Sequence, residues 1–390
     1  MTSIASVNDR FPFPVARIGI IGGGQLGRML VKAAKWLGCT CVVLDPTPGS
    51  PAGQVSGNQI VADSHDPDAL LQLAGQVDVI TFDIEDIDVD ILSAMAQRGH
   101  RILPTADLLA EIQDKLRQKQ MLTRLGIPTA EFIDAPDTDP ELLASFGYPL
   151  VQKARRGGYD GRGVVVMKSA EDASQALPVA SLLERFIPAA KELAVIVVRA
   201  QDGEVRSYEP VEMCFRSGEN ILDMLLAPAR IEPDIAAAAR RLATETVAAM
   251  GGVGIFGIEL FLTGDGQLLV NEVAPRTHNS GHYTIEACIT DQFEQHLRAI
   301  TGLPLGSTDQ TLPAAMINLL GEPGESGPPV IRGLRAALAI PGVSVHFYGK
   351  AETRPFRKMG HVTVLDADIE RAREKAEEVR RLLTIGGESA

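Results

Sequence analysis

Glu259 and Glu272 stand in the stretch GIFGIELFLTGDGQLLVNEVAP (254–275), two apolar runs around a Gly-Asp-Gly turn. With Asp265 and Gly266 as the central residues of a tight hairpin turn, Gly264 pairs with Gln267, and counting outward sets Glu259 directly opposite Glu272. Cross-strand neighbours have Cβ atoms roughly 4.5–5.5 Å apart, a spacing at which like charges repel. A divalent cation would resolve the repulsion: Mg²⁺ takes few protein carboxylates and completes its octahedron with water and substrate phosphates. Two other readings compete, a slipped register that turns one acid to solvent and charge pairing by the nearby Arg276. Asn271 points to the other face of an ideal pleat, so its presence in the same site requires a twist or a bulge.

Lys153 ends the run YPLVQKA and precedes RRGGYDGRG and VVVMK. Gly157, Gly158, Gly161 and Gly163 make a flap whose backbone N–H groups suit phosphate covering, with Lys153 as a point charge beneath it. A hairpin with a merely flexible turn is the alternative. Arg156, Tyr159, Asp160 and Arg162 in the same loop favour a functional flap. The segment PRTHNSGHYT (275–284) delivers Arg276, His278, Asn279, Ser280 and His282 just past a strand end, where α/β sites are usually assembled. Its histidines lack the helical spacing of a zinc site, so anion binding and proton handling by Arg276 and His278 fit better. A loop capping the next helix through Asn279 or Ser280 explains part of the set, but not Arg276. In HFYGKAETRPFRKMGH (346–361), Lys350, Arg354, Arg357 and Lys358 face one acid, Glu352. This is either a phosphate receptor or a solvated basic loop blunting an edge strand.

Gly22, Gly24 and Gly27 form G-x-G-x-x-G between a strand and a helix, and Asp45 closes the next strand. Those are the parts of a dinucleotide fingerprint and, alone, would favour an NAD-dependent dehydrogenase. The same opening can hold another anionic ligand at the helix N-terminus, or merely let helix and strand pack.

These groups must be positioned by elements whose patterns are readable. RIGIIGGGQLG, RMLVKAAKWLG and CTCVVLDP read as strand, helix and strand, a βαβ unit; VDVITFDIED and RILP (101–104) read as further strands. This sets an N-terminal Rossmann-like domain at 1–106. A central α+β domain follows at 107–308, with antiparallel strands at 205–230, an alanine-rich helix at 233–250 and the acid hairpin. A small β-rich C-terminal domain at 309–390 carries the basic turn. The formal net charge of −13 argues against nucleic acid as a partner. Cys39, Cys41, Cys214 and Cys288 lack zinc or disulfide spacing and read as reduced thiols of a cytoplasmic protein. With no apolar run of spanning length and no signal-like start, no membrane partner is expected.

The motifs GYDGRG and PRTHNSGH, together with IGIIGGGQLGRM, QDKLRQKQ, DQFEQHLRAI and RPFRKMGH, resemble those of the ATP-grasp enzymes. Within them they resemble the 5-(carboxyamino)imidazole ribonucleotide synthetases, over nearly the whole chain. The resemblance implies an ATP-grasp fold of mixed α/β and α+β class, and ATP-dependent carboxylation of 5-aminoimidazole ribonucleotide by bicarbonate in purine biosynthesis. It implies that Lys115, Lys153, the loop Gly158, Tyr159, Asp160, Gly161, Arg162 and Gly163, the stretch Glu184, Arg185, Phe186 and Ile187, Glu192 and Asn271 hold ATP. Glu259 and Glu272 would hold Mg²⁺, Glu272 being counted among the ATP-binding residues too. Asp160, Arg276, His278 and Lys350 would surround bicarbonate and the amine, while Gln25, Leu26, Asp83, Asn279, Lys350, Arg357 and Lys358 would bind the ribonucleotide. A homodimer and product hand-off to a downstream mutase are implied too. The related formate-dependent glycinamide ribonucleotide transformylases share several substrate positions and are the alternative ligase. Two departures stand out. Asp83-Ile84-Glu85-Asp86 replaces the family's Glu-Phe-Glu-Asn, and Glu212-Met213-Cys214-Phe215 replaces Glu-Asn-x-His. They put in doubt an acid of longer reach at 83 and a histidine at 215.

Overall fold

The computed structural model describes residues 12–137, 139–158, 163–215 and 222–387. The chain divides into two compact units, Met1–Leu103 and Pro104–Ala390.

In the N-terminal unit, strand Arg17–Ile21, helix Gln25–Trp36 and strand Thr40–Leu44 form the expected βαβ, the two strands running parallel. The strands are near-continuous Ile, Val and Leu runs because a parallel sheet is covered on both faces. The sheet order is Gln59–Ile60, Thr40–Leu44, Arg17–Ile21, Val79–Phe82. Two details differ from the sequence reading. The segment 101–104 contributes only a bridge from Ile102 to Ile80, since Pro104 has no N–H with which to extend a ladder. Strand Gln59–Ile60 is too short to show any alternation in sequence.

The second unit holds two antiparallel sheets that matter for the site. The smaller has the order Phe132–Ala135, Ser181–Arg185, Leu150–Ala154, Val164–Met167. Lys153 pairs with Val164 across it, so residues 155–163 are the connection between these two strands. The larger runs Leu268–Ala274, Gly254–Thr263, Ala189–Arg199, Val211–Phe215, Leu222–Ala227, Ala314–Leu320, Lys358–Leu365, Val343–Phe347, with Val205–Ser207 beside Ala189–Arg199. The main strands of the C-terminal segment therefore extend the central sheet.

Helix Pro233–Met250 covers the acid hairpin, setting Ala239, Ala243 and Val247 in one core with Phe256, Ile258 and Val270. The alanines let the helix axis approach closely, and each fully buried large apolar side chain contributes about 1.5–3 kcal/mol. That covered face leaves the opposite face of the hairpin for its charged residues. Among the described residues no helix is long and apolar enough to cross a membrane.

Candidate active site

Glu259 and Glu272 are direct cross-strand partners. The route to that pairing differs from the turn count. The hairpin turn has three residues, not two: Thr263 pairs with Gln267 through Thr263 N to Gln267 O at 2.9 Å, and Gly266 sits at φ +86. A left-handed third residue of this kind is the form in which a three-residue hairpin matches strand twist. Leu262 consequently faces Leu268 and Leu260 faces Val270, a register that by itself would set Glu259 opposite Asn271. A bulge between Leu260 and Glu259 takes up Asn271 and restores the acid pair. The bulge also brings Asn271 into the site: its Nδ2 lies 3.4 Å from Glu259 Oε2, and its Oδ1 accepts from Lys153 Nζ at 2.9 Å.

Cations compensate the acids unequally. Lys115 Nζ meets Glu272 Oε1 at 2.7 Å. Burial acts to raise the Glu272 carboxyl, but Lys115, Lys153 and His278 together hold it well below the usual range. Glu259 is pushed up, first by burial and then by Glu272 and Glu192. Burial pushes Glu192 up as well, against the pull of Lys153. An acid forced upward beside an ionised one is a site lacking positive charge. Among the described residues no group of three or more His, Cys, Asp or Glu could hold a metal ion. The two hard carboxylates fit Mg²⁺ that takes its remaining ligands from phosphate and water.

A buried ion cluster ties the small sheet to the hairpin. Glu184, 2% exposed, receives Lys153 Nζ at 2.7 Å and Lys119 Nζ at 3.1 Å. Lys119 also donates to Thr129 Oγ1 at 2.6 Å, and that hydroxyl donates to Val270 O at 2.7 Å. Burial brings the Lys119 ammonium down to about 8 although Glu184 opposes the shift. Lys119 escaped the sequence reading, yet it lies one turn beyond Lys115 on helix Lys115–Arg124, among the buried Leu116, Met121 and Leu122. A lysine on a buried face was the available signal.

The remaining expected residues fall into separate groups. Arg185 turns to Glu131 and stacks over Phe146 at 4.4 Å, so its guanidinium is engaged beside the strand rather than at the acids. Phe186 and Ile187 follow the end of that strand, with Phe186 N donating to Pro149 O at 3.3 Å. Gly158 and Gly163 are the described residues nearest the expected flap; Tyr159, Asp160, Gly161 and Arg162 lie outside the described residues.

His278 Nε2 is 3.5 Å from Glu259 Oε1, and its Nδ1 is 2.7 Å from Ser280 Oγ. The fully buried Gln292 fixes its backbone, accepting from His278 N at 2.9 Å and donating to His278 O at 2.7 Å. Gly257 makes room for the ring, since a Cβ there would come within 2.7 Å of the His278 side chain. Arg276 donates to Thr277 O at 3.1 Å. Both polar atoms of the Asn279 side chain are buried without a hydrogen-bond partner among the described residues.

In the basic turn, Lys350 Nζ donates to Lys358 O and Arg357 Nη1 to Glu352 O, each at 2.7 Å. Phe356 adopts φ +63, a costly conformation for a non-glycine residue, held by Phe356 N to Gly321 O at 2.9 Å and Arg357 N to Arg354 O at 3.0 Å.

In the N-terminal unit, Asp83 Oδ2 accepts from Gly27 N at 2.8 Å, at the start of the helix that carries Gln25 and Leu26. Asp45 accepts from Gly23 N at 2.7 Å and Thr47 N at 2.8 Å. Carboxylates thus occupy the helix start where a dinucleotide would present its pyrophosphate, and the acid that would read a ribose is engaged by backbone. This disfavours the dehydrogenase reading.

Three family models match the chain: a ribonucleotide synthetase pre-ATP-grasp domain over residues 15–113, an ATP-grasp domain over 120–293, and a phosphoribosylaminoimidazole carboxylase C-terminal domain over 314–375. The N5-carboxyaminoimidazole ribonucleotide synthase of Synechococcus elongatus is 44% identical over 360 residues, covering 90% of each chain. The crystal structure of N5-carboxyaminoimidazole ribonucleotide synthetase from Thermotoga maritima superposes with a TM-score of 0.89 at 51% identity, over 96% of this chain and 100% of that one. The Aspergillus clavatus N5-carboxyaminoimidazole synthase, crystallised with ADP and 5-aminoimidazole ribonucleotide, gives 0.86 at 36% identity, over 94% and 98%. The chain belongs to the N5-carboxyaminoimidazole ribonucleotide synthase family of ATP-grasp enzymes.

Proposed function

We propose that this chain uses ATP and bicarbonate to carboxylate the exocyclic amine of 5-aminoimidazole ribonucleotide, releasing ADP and phosphate. The observation that carries the reading is the opposed pair Glu259 and Glu272, ringed by Lys115, Lys153, Asn271 and His278. A bicarbonate oxygen attacks the γ-phosphorus, the bond to the β-phosphate oxygen breaks, and ADP leaves. The amine nitrogen then attacks the carboxyl carbon of the carboxyphosphate. The bond from that carbon to the bridging oxygen breaks, the oxygen leaves with the phosphate, and one amine proton passes to the departing phosphate.

Lys153 and Lys115 place positive charge where phosphoryl charge spreads in the transition state. Mg²⁺ bound by Glu259 and Glu272 would add neutralising charge to the same phosphates. His278, oriented by Ser280 and Gln292, and Arg276 are assigned to bicarbonate, with Asp160 of the flap. Asn279, Lys350, Arg357 and Lys358 are assigned to the ribonucleotide. Gln25, Leu26 and Asp83 of the N-terminal unit are assigned to it as well. The backbone of 184–187 and Glu192 are assigned to the nucleotide, under a flap of 158–163 that keeps water from the carboxyphosphate. A homodimer and hand-off of product to a mutase belong to the same reading.

Steady-state ADP release tests this function. It should rise only when bicarbonate and aminoimidazole ribonucleotide are both present. Equal release with formate and glycinamide ribonucleotide would move the chain to the transformylase type.

A further inference from the structure

Three imidazoles, two of them buried and one half-buried, form a column that links the Arg276–His282 segment to the C-terminal strands. The ring of His361 stacks on that of His346 at 4.5 Å and lies 4.6 Å from that of His282. Sheet register produces the first contact, because His346 and His361 are direct antiparallel partners. His282 and His361 are 1% and 0% exposed.

The column is anchored on several sides. His346 Nε2 meets Glu286 Oε1 at 2.5 Å, and the Tyr348 hydroxyl lies 3.0 Å from His361 Nδ1. His282 Nδ1 is 3.4 Å from Nε2 of Gln292, the residue that fixes the His278 backbone. The Tyr348 ring faces Lys350 Nζ at 5.7 Å, and Tyr348 N donates to Met359 O at 3.0 Å, next to the carbonyl that receives Lys350. A continuous path of contacts thus runs from His278 through Gln292, His282, His361 and Tyr348 to Lys350.

Packing alone does not call for these residue types. The cores on either side of the same sheet are built from Leu, Ile, Val, Met and Ala, with Tyr283 as their one polar ring and no histidine. Apolar side chains would fill the volume without the desolvation cost of polar rings. What a hydrogen-bonded polar network adds is a single fixed geometry. The geometry points to His282, His361 and Tyr348 as positioning residues that hold Lys350 in register with His278 for carboxyl transfer. The inference rests on the roles given above to Lys350 and His278, and it deepens them. Nucleotide binding by Lys115, Lys153 and the acid pair does not run through the column.

The test compares Tyr348→Phe, His361→Leu and His361→Asn with Lys350→Ala, measuring KM for ribonucleotide and for ATP, ADP released per carboxylated product, and Tm. Tyr348→Phe keeps the ring beside Lys350 and removes the hydroxyl. It should lower kcat/KM for the ribonucleotide about tenfold, the equivalent of about 1.4 kcal/mol, with the KM for ATP within about twofold. His361→Leu should do the same and release more than one ADP per product. His361→Asn, whose amide can meet the tyrosine hydroxyl, should recover most of the loss. Normal ribonucleotide kinetics in Tyr348→Phe and His361→Leu beside a defective Lys350→Ala would overturn the positioning role alone. An unaffected Lys350→Ala would overturn the assignment of Lys350 and the inference with it. A fall in Tm with ATP and ribonucleotide constants worsening together would reduce the column to packing and overturn the inference.

Discussion

Glu259 faces Glu272 because the strand bearing Glu272 carries one extra residue, Asn271, between the turn and the pair. The bulged residue also links the acids to Lys153. Deleting Asn271 should remove the bulge and leave a regular ladder in which Glu272 still faces Glu259, without the amide that touches Glu259 and Lys153. Turnover should fall about ten- to a hundredfold, the equivalent of roughly 1.5–3 kcal/mol for a hydrogen bond to a charged group, while the hairpin, held by the core beneath it, still folds. Circular dichroism and ADP release on the deletion variant check this, and near-normal turnover would show that the Asn271 amide is dispensable.

The two acids should respond differently to neutralisation. Glu272 is satisfied by Lys115, whereas Glu259 is held upward by burial and by its neighbours. Glu259→Gln should therefore leave the ligand-free protein as stable or raise its Tm, and Glu272→Gln should lower it by stranding Lys115. Both should lose nearly all activity, because an amide binds Mg²⁺ poorly. Thermal melts without nucleotide read the stability difference.

Glu184 serves two buried ammonium groups, Lys119 and Lys153. Glu184→Gln takes from both the carboxylate they contact and should cost about 3–5 kcal/mol in a urea titration. Lys119→Met removes one ammonium and leaves the other paired, so its cost should be smaller. An equal cost for the two variants would mean that the cluster is not organised around the carboxylate.

Acidification should destabilise the fold through its buried histidines. His296 accepts from Ile255 N at 3.1 Å, and burial brings its ring down to about 3; burial also takes His282 well below the usual range. An unfolded histidine gains its proton near pH 6.5, and the folded one does not until the pH is far lower. The unfolded state therefore binds more protons between about pH 6.5 and 3, and stability falls as pH falls, by up to about 1.4 kcal/mol per unit for each group. His296→Gln should flatten the slope measured by urea titration from about pH 8 to 5. An unchanged slope would assign it to carboxylates instead.

Much of this architecture was legible because local pattern and final position agree. The βαβ opening, the helix at 233–250 and the basic turn follow from apolar periodicity and turn residues, without knowledge of distant contacts. The acid pair was legible by a path with two offsetting errors: a turn one residue too short and a bulge left out. Asn271 shows why. A bulge is set by what surrounds the strand, and its sequence mark is weak. The ring contacts of His282, His346 and His361 depend on sheet order across distant segments, so no local spacing announces them. A histidine inside an apolar strand, as in VHFYG and GHVTVL, was the one available hint.

Arg357→Ala should weaken ribonucleotide binding about ten- to a hundredfold, since a charge-assisted contact to a phosphate is worth roughly 1.5–3 kcal/mol. The KM for ATP should barely change. A defect confined to ATP would return the turn at 350–358 to a solvated loop.

The most direct measurement follows labelled carbon and ADP together. The protein is supplied with Mg·ATP, isotopically labelled bicarbonate and 5-aminoimidazole ribonucleotide, and the acid-labile carbamate is counted against ADP. The account predicts one labelled carbamate on the exocyclic amine per ADP, with both lost in Glu272→Gln. ADP formed at full rate without the ribonucleotide, or with no label reaching the amine, would contradict it.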